Sequence, residues 1–248
     1  MTKVAIIGAG SAVFAYEIMR DVLVTPGLET GTFALVDIDP GRLELAHLIA
    51  EKLIATTGRQ WNIEASTDRT KVIAGTDYLI NTIEVAGMEN VRHDFDIPMK
   101  YGVNQCIGDT IGPGGIFKAL RTLPAWIDIL HDTERLAPGA LVMNYTNPMS
   151  LTCLTGLRAS SLPIVGLCHS IPYTAEILSG YLGIDFQTRG LAVYRLLDAA
   201  VTFHRGLPRP GEVVRYDIRI ERFFRQGDTY LFRFNFDGTV DGEPLLTM

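Results

Sequence analysis

Residues 3–11 read Lys3-Val4-Ala5-Ile6-Ile7-Gly8-Ala9-Gly10-Ser11. The run from Val4 to Ile7 is apolar without interruption and rich in β-branched side chains, the pattern of a strand buried on both faces of a parallel sheet. Gly8 and Gly10 follow at once. They permit a tight turn and a close backbone approach, and a helix predicted from about Ala12 points its N-terminus back at that turn. Free N–H groups and the helix dipole both favour an anion there, and a pyrophosphate suits the shape. The Gly-x-Gly-x-x-Gly fingerprint is incomplete, because its third glycine position is Val13.

The second strand adds weight. Phe33-Ala34-Leu35-Val36 is another buried run, and it ends in Asp37, 27 positions after Gly10. A carboxylate at that place accepts the ribose hydroxyls of an adenosine and disfavours a 2′-phosphate. The bland alternative is that Asp37 only caps the following helix. Strand, turn, helix, strand and acid in this order point to a dinucleotide, with Gly8, Gly10, Ser11 and Asp37 as its contacts.

The whole chain sets bounds. Its 248 residues are 47% hydrophobic, which predicts a well-buried globular protein. A net charge of −6 and the lack of any basic cluster argue against nucleic acid. No apolar run approaches membrane-spanning length, and the first strand begins without a leader, so the expectation is a cytoplasmic protein with no membrane contact. Cys106, Cys153 and Cys168 are too few and scattered for a disulfide framework.

Beyond Asp37, a helical period over Gly41–Thr57 stops at Gly58. Strands are predicted at Asn62–Ala65, Asp77–Ile83, Leu141–Pro148 and Ile164–His169. Helices are predicted at about Phe117–Arg135 and Met149–Arg158. Strands alternating with helices make the fold α/β, a doubly wound, Rossmann-like parallel sheet whose ligands lie beyond the strands' carboxyl ends. Asn81, Asn147, Cys168 and His169 fall at or near such ends. The stretches Gly87–Pro98 and Gly108–Gly115, with four glycines and a proline in the latter, read as ligand-cradling loops. Arg92 and Asp109 lie in or beside them and suit a hydroxylated or anionic substrate.

Four phrases stand in order and spacing: Gly8-Ala-Gly-Ser-Ala-Val-Phe14, Gly108-Asp-Thr-Ile-Gly-Pro-Gly-Gly115, Asn144-Tyr-Thr-Asn-Pro148 and Cys168-His-Ser170. Through them, residues 1 to about 175 resemble glycoside hydrolase family 4, the NAD- and metal-dependent glycosidases. The Cys-His-Ser phrase resembles the α-galactosidase and α-glucosidase branch. The resemblance implies cleavage of α-galactosides or α-glucosides by oxidation and elimination, an exception to the two-carboxylate rule. NAD takes hydride from C3 of the sugar, a base removes the acidified C2 proton, the glycosidic oxygen leaves, water adds, and the hydride returns. A divalent metal, Mn²⁺ in the usual case, polarises the C2 and C3 oxygens. By the same resemblance Asn81 joins the NAD contacts, Cys168 is a metal ligand, and Arg92 and Asn147 hold the sugar. Asp109 then lies near the reacting ring, and His169 is the proton donor to the leaving group.

The family's second metal-ligand histidine and its base have no counterpart phrase here; His204 stands in a different context. Composition also changes. From about Leu178 arginine becomes frequent and the period becomes two, with Val214, Tyr216, Ile218 and Ile220 alternating with Arg215, Asp217, Arg219 and Glu221. That predicts an antiparallel hairpin or meander with one wet face, turning at Gly227-Asp228. The expected division is therefore 1–177, an NAD-binding domain, and 178–248, a β-rich segment. The second segment resembles part of a hot-dog dehydratase of polyunsaturated fatty acid or polyketide synthases. Two further functions stay open: a malate- or lactate-type 2-hydroxy acid dehydrogenase, and an acyl-chain binding module in the tail. Exposed strand edges and both resemblances lead us to expect a homo-oligomer.

Overall fold

The computed structural model describes residues 1–11, 14–105, 109–110, 112–168, 177, 202–205, 212–226 and 229–247. The chain divides into two compact units, Met1–Ser170 and Ile171–Met248.

The first unit holds β1 (Thr2–Ile7), α1 (Phe14–Val24), β2 (Thr30–Val36), α2 (Pro40–Thr57), β3 (Gln60–Ser66) and β4 (Tyr78–Asn81). These are followed by α3 (Gly87–Lys100), α4 (Gly112–Leu136), β5 (Leu141–Asn144), α5 (Met149–Ala159) and β6 (Ile164–Gly166). The strands form one sheet in the order β3-β2-β1-β4-β5-β6. Every pairing in it is parallel. This is the doubly wound order that the alternating pattern predicts. Successive residues of β1 face opposite layers. Val4 and Ile6 join Phe33, Leu35, Met19, Leu23 and Trp61 on one face. Ala5 and Ile7 join Val36, Leu79, Val142, Trp126 and Leu130 on the other.

Local signals explain most boundaries. Asp39 caps α2, its Oδ1 accepting from the N–H groups of Gly41 and Arg42, and Pro40 occupies the first turn. Gly58 closes α2 in the left-handed conformation, φ +65°.

Two stretches expected to be loops are helical. Gly87–Lys100 is α3, and Gly112–Gly115 is the first turn of α4. Polar composition hid α3, which rests on α4 through a bidentate ion pair of Arg121 with the buried Asp94. Pro98 has no N–H to give the Asp94 carbonyl, and Gln105 Nε2 donates to that oxygen instead at 3.2 Å. Gly112 opens α4 at φ +77°, a conformation that favours glycine, while Gly115 serves close contact. A Cβ on Gly115 would stand 3.0 Å from the Thr110 carbonyl carbon, so the Asp109–Thr110 turn lies hard against the helix start.

The second unit contains β7 (Thr202–Phe203), β8 (Val214–Gln226), β9 (Thr229–Val240) and β10 (Glu243–Thr247), in the sheet order β7-β10-β9-β8. All its pairings are antiparallel, as the period of two predicts. Of the charged alternating set, Arg215, Arg219 and Glu221 are exposed and Asp217 is half-buried. Gly227 and Asp228, the expected turn, lie outside the described residues.

Candidate functional site

The winding direction of the first sheet reverses between β1 and β4, and a crevice at the carboxyl ends of those strands is where such sheets bind ligands. Gly8 begins the turn there at φ +85°, and the N–H groups of Gly8 and Ala9 both donate to the Val36 carbonyl, at 2.8 and 2.9 Å. A Cβ at Gly8 would lie 2.8 Å from the Thr82 carbonyl oxygen of the neighbouring strand end. The Thr82 hydroxyl donates to the Ile7 and Gly8 carbonyls, which pins the turn from the β4 side. Ser11 Oγ accepts from the Phe14 N–H at 3.3 Å and so caps α1. Val13 lies outside the described residues.

Asp37 faces this turn and does not cap α2, which is the work of Asp39. Its Oδ2 accepts from the Gly10 N–H at 2.8 Å, and its Oδ1 accepts from the Asp39 N–H at 3.0 Å. A Cβ on Gly10 would meet the Arg42 Cβ at 2.5 Å and the Asp37 carboxylate at 2.7 Å. Gly8, Gly10, Ser11 and Asp37 are thus brought to one turn.

Asn81 ends β4 in register with Asn144 at the end of β5, and both are fully buried. Asn81 Nδ2 donates to Asn144 Oδ1 at 2.8 Å, while Asn144 Nδ2 donates to the Thr146 carbonyl and the Thr152 hydroxyl. Asn81 Oδ1 is buried with no hydrogen-bond partner. An acceptor left so is costly unless something else donates to it.

The β5 side of the edge carries a charged cluster. Asn147 Nδ2 donates to Asp109 Oδ2 at 3.3 Å, and the Lys118 ammonium sits 3.6 Å from the same oxygen and 2.7 Å from Glu84 Oε2. Lys118 is 4% exposed. One buried cation therefore joins the exit of β4, the Asp109 turn and, through Asp109, the segment after β5. Sequence reasoning pairs neither Glu84 nor Lys118 with this site. The signal was available, since Lys118 stands at helical spacing on the buried stripe of Thr122, Trp126 and Ile129, where a charge needs a partner. Arg121, one turn on, is held protonated above its ordinary range, first by its hydrogen bond to Asp94.

The other expected residues are placed apart from this cluster or outside view. Arg92 lies on α3 with its side chain 80% exposed, paired with Asp96 at 3.0 Å. Cys168 follows β6 and is exposed. His169 lies outside the described residues. Among the described residues no three His, Cys, Asp or Glu side chains come together to hold a metal ion. Cys153 on α5 is half-buried, and burial pushes its thiol up, which favours the protonated form. No helix among the described residues is long and apolar enough to cross a membrane.

Comparison with known proteins sets this geometry in context. The model of the family 4 glycosyl hydrolases matches residues 3–184. An α-galactosidase of Bacillus subtilis (strain 168) is 40% identical over 186 residues, covering 75% of this chain and 43% of that protein. An α-glucosidase of Erwinia rhapontici is 32% identical over 220 residues, covering 88% of this chain and 49% of that protein. The chain thus spans about half the length of these relatives or less. Among solved structures, the 6-phospho-β-glucosidase of Thermotoga maritima with manganese, NAD⁺ and glucose-6-phosphate shares the fold. It has a TM-score of 0.64 at 18% identity and covers 98% of this chain and 51% of that one.

Proposed function

The chain belongs to family 4 of the glycosyl hydrolases, and from that premise we propose that it carries the NAD⁺-binding part of an α-glycosidase acting on α-galactosides or α-glucosides. The observation that carries the reading is the Gly8–Gly10 turn, closed against Thr82 and Asp37 at the point where the sheet reverses. A side chain at either glycine would collide with the turn's own neighbours, Thr82 at Gly8 and Arg42 and Asp37 at Gly10, and Asn81 Oδ1, without a partner among the described residues, lies at the same carboxyl edge of the sheet. These features fit a dinucleotide. Gly8, Gly10 and the α1 start capped by Ser11 hold the pyrophosphate, Asp37 takes the adenosine ribose, and Asn81 offers its free acceptor to the bound cofactor. When bound, NAD⁺ supplies an acceptor for hydride from the sugar and a donor for its return.

On the sugar side, Asp109 and Asn147 form an acceptor and donor pair for hydroxyl groups, with Lys118 fixing the carboxylate. Arg92 contributes from α3 and His169 gives its proton to the leaving oxygen. The metal is a different matter. Mn²⁺ accompanies the Thermotoga maritima enzyme, but the described residues offer Cys168 without partners, and they do not fit a metal ion by themselves. Cys168 serves as one ligand in a site completed by residues other than those described. The long matches to the Erwinia rhapontici and Thermotoga maritima proteins support reading the antiparallel unit as part of the family fold rather than as a hot-dog passenger.

Calorimetric titration with NAD⁺ tests the reading. Saturable binding with a Kd below about 1 mM is expected, and silence across that range removes the dinucleotide proposal. Adding Mn²⁺ alone to this chain is expected to give binding weaker than that of NAD⁺, because a site short of ligands binds poorly.

A further inference from the structure

We propose that Arg42, rooted beside Asp37 and Asp39, is a selectivity residue at the adenosine end of the cofactor site, so that one carboxylate separates this chain from accepting NADP⁺. The inference rests on the dinucleotide reading above and goes beyond it by naming the side chains that choose between the two cofactors.

Three charged side chains gather beyond the end of β2. Asp37 is fixed by two backbone donors, Gly10 N–H and Asp39 N–H, so its carboxylate cannot swing away from the ribose position without losing both. Arg42 grows out of the first turn of α2 directly beside the glycine turn: its Cβ stands 2.5 Å from where a Cβ of Gly10 would be. Its guanidinium is loosely held. The nearest carboxylate oxygen, Asp39 Oδ2, is 3.9 Å from Nε, beyond hydrogen-bonding distance, and the Arg42 side chain is 70% exposed. Asp39 itself is anchored, because its Oδ1 caps α2. Ile38, between the two carboxylates, is 91% exposed, so among the described residues no side chain packs over it.

The trio carries a net charge of −1. A ribose with a free 2′-hydroxyl donates to Asp37 and tolerates that charge. A 2′-phosphate brings about two further negative charges against a carboxylate that cannot retreat. With Asp37 gone, the trio becomes neutral, and the exposed guanidinium of Arg42, rooted beside Gly10, offers donors whose planar geometry matches phosphate.

The test is equilibrium binding of NAD⁺ and NADP⁺ to the parent chain, Asp37→Ser, Asp37→Asn and Asp37→Ser/Arg42→Met. The parent is expected to prefer NAD⁺. Each Asp37 variant should move the ratio of the two Kd values toward NADP⁺ by at least about tenfold, the scale of one charge-assisted hydrogen bond, and Arg42→Met should abolish that gain. No gain in either Asp37 variant, or a gain that survives Arg42→Met, overturns the inference while leaving NAD⁺ binding intact. A parent that binds both cofactors equally well also overturns it. A parent that binds neither removes the dinucleotide reading itself, and the inference with it. Should both Asp37 variants melt well below the parent, binding is measured below their melting transitions, where the same shift toward NADP⁺ must appear or the proposal fails.

Discussion

The two sides of the crevice at the sheet's carboxyl edge are built from different materials. On the β1–β2 side the surface is main chain: two glycines, a turn closed on the Val36 carbonyl, and the Gly10 N–H held by the Asp37 carboxylate. On the β4–β5 side it is side chain: Glu84, Asp109, Lys118 and Asn147 meeting across four segments that are distant in sequence. A main-chain surface recognises whatever all dinucleotides share. A side-chain surface is specific to one substrate and alters with each substitution. The contrast is the one that the proposed function calls for, a shared cofactor on one side and a variable substrate on the other.

The largest effect should come from the main-chain side. Gly10→Ala forces a Cβ into the Arg42 stem and the Asp37 carboxylate. We expect a loss of about 2 kcal/mol in denaturant melts, in line with other overpacked sites, together with loss of NAD⁺ binding by calorimetry. Unchanged binding would break the claim that this side works through close backbone approach. Next comes Lys118→Met, which leaves Glu84 and Asp109 facing each other without their cation. Breaking a buried pair costs several kcal/mol, and the partial exposure of both carboxylates reduces this to about 2 kcal/mol. The same variant should keep its NAD⁺ Kd within about threefold of the parent, because the dinucleotide side does not touch Lys118. A larger change would show that the two sides are one.

The smallest effect calibrates the scale at a surface ion pair outside the crevice. Arg135, and after it Arg69, hold Asp132 below the usual carboxylate range. A lowered carboxylate stabilises the fold at neutral pH, and that contribution disappears as pH falls through its depressed folded-state value. Asp132→Asn should therefore cost less than about 1 kcal/mol at pH 7 and nothing measurable in strong acid. A cost that grew on acidification would reverse the sign and refute the assignment.

How far the sequence is legible follows the same divide. Periodic apolar strands, Gly58 as a stop and the glycine turn with Asp37 are local patterns, and each element they predict is present within a few residues. The charged cluster is not local. Lys118 reaches Glu84 across 34 positions and Asp109 across nine, and only the packing of α4 against the end of β4 makes them neighbours. The α3 error has a related cause. Glycine, proline and charge read as loop, yet the inward face of the helix carries half-buried Val91 and Phe95 and buried Pro98 around Asp94, which the distant Arg121 holds. The tail's period of two predicted its antiparallel strands because a ladder of that kind is again a local pattern.

The two tryptophans, already met as core residues, sit in the two opposite layers of the first sheet. Trp61 lies against Phe33 with ring centroids 4.4 Å apart and donates its indole N–H to the Leu28 carbonyl. Trp126 is wholly buried and donates to the Thr152 carbonyl, in the helix that follows Asn147. One intrinsic fluorophore thus stands in each layer of the sheet, Trp61 at the amino end of β3 beside Gly31 and Trp126 inside α4. Emission from single-tryptophan versions would report separately on the packing of the two layers, with no dye attached.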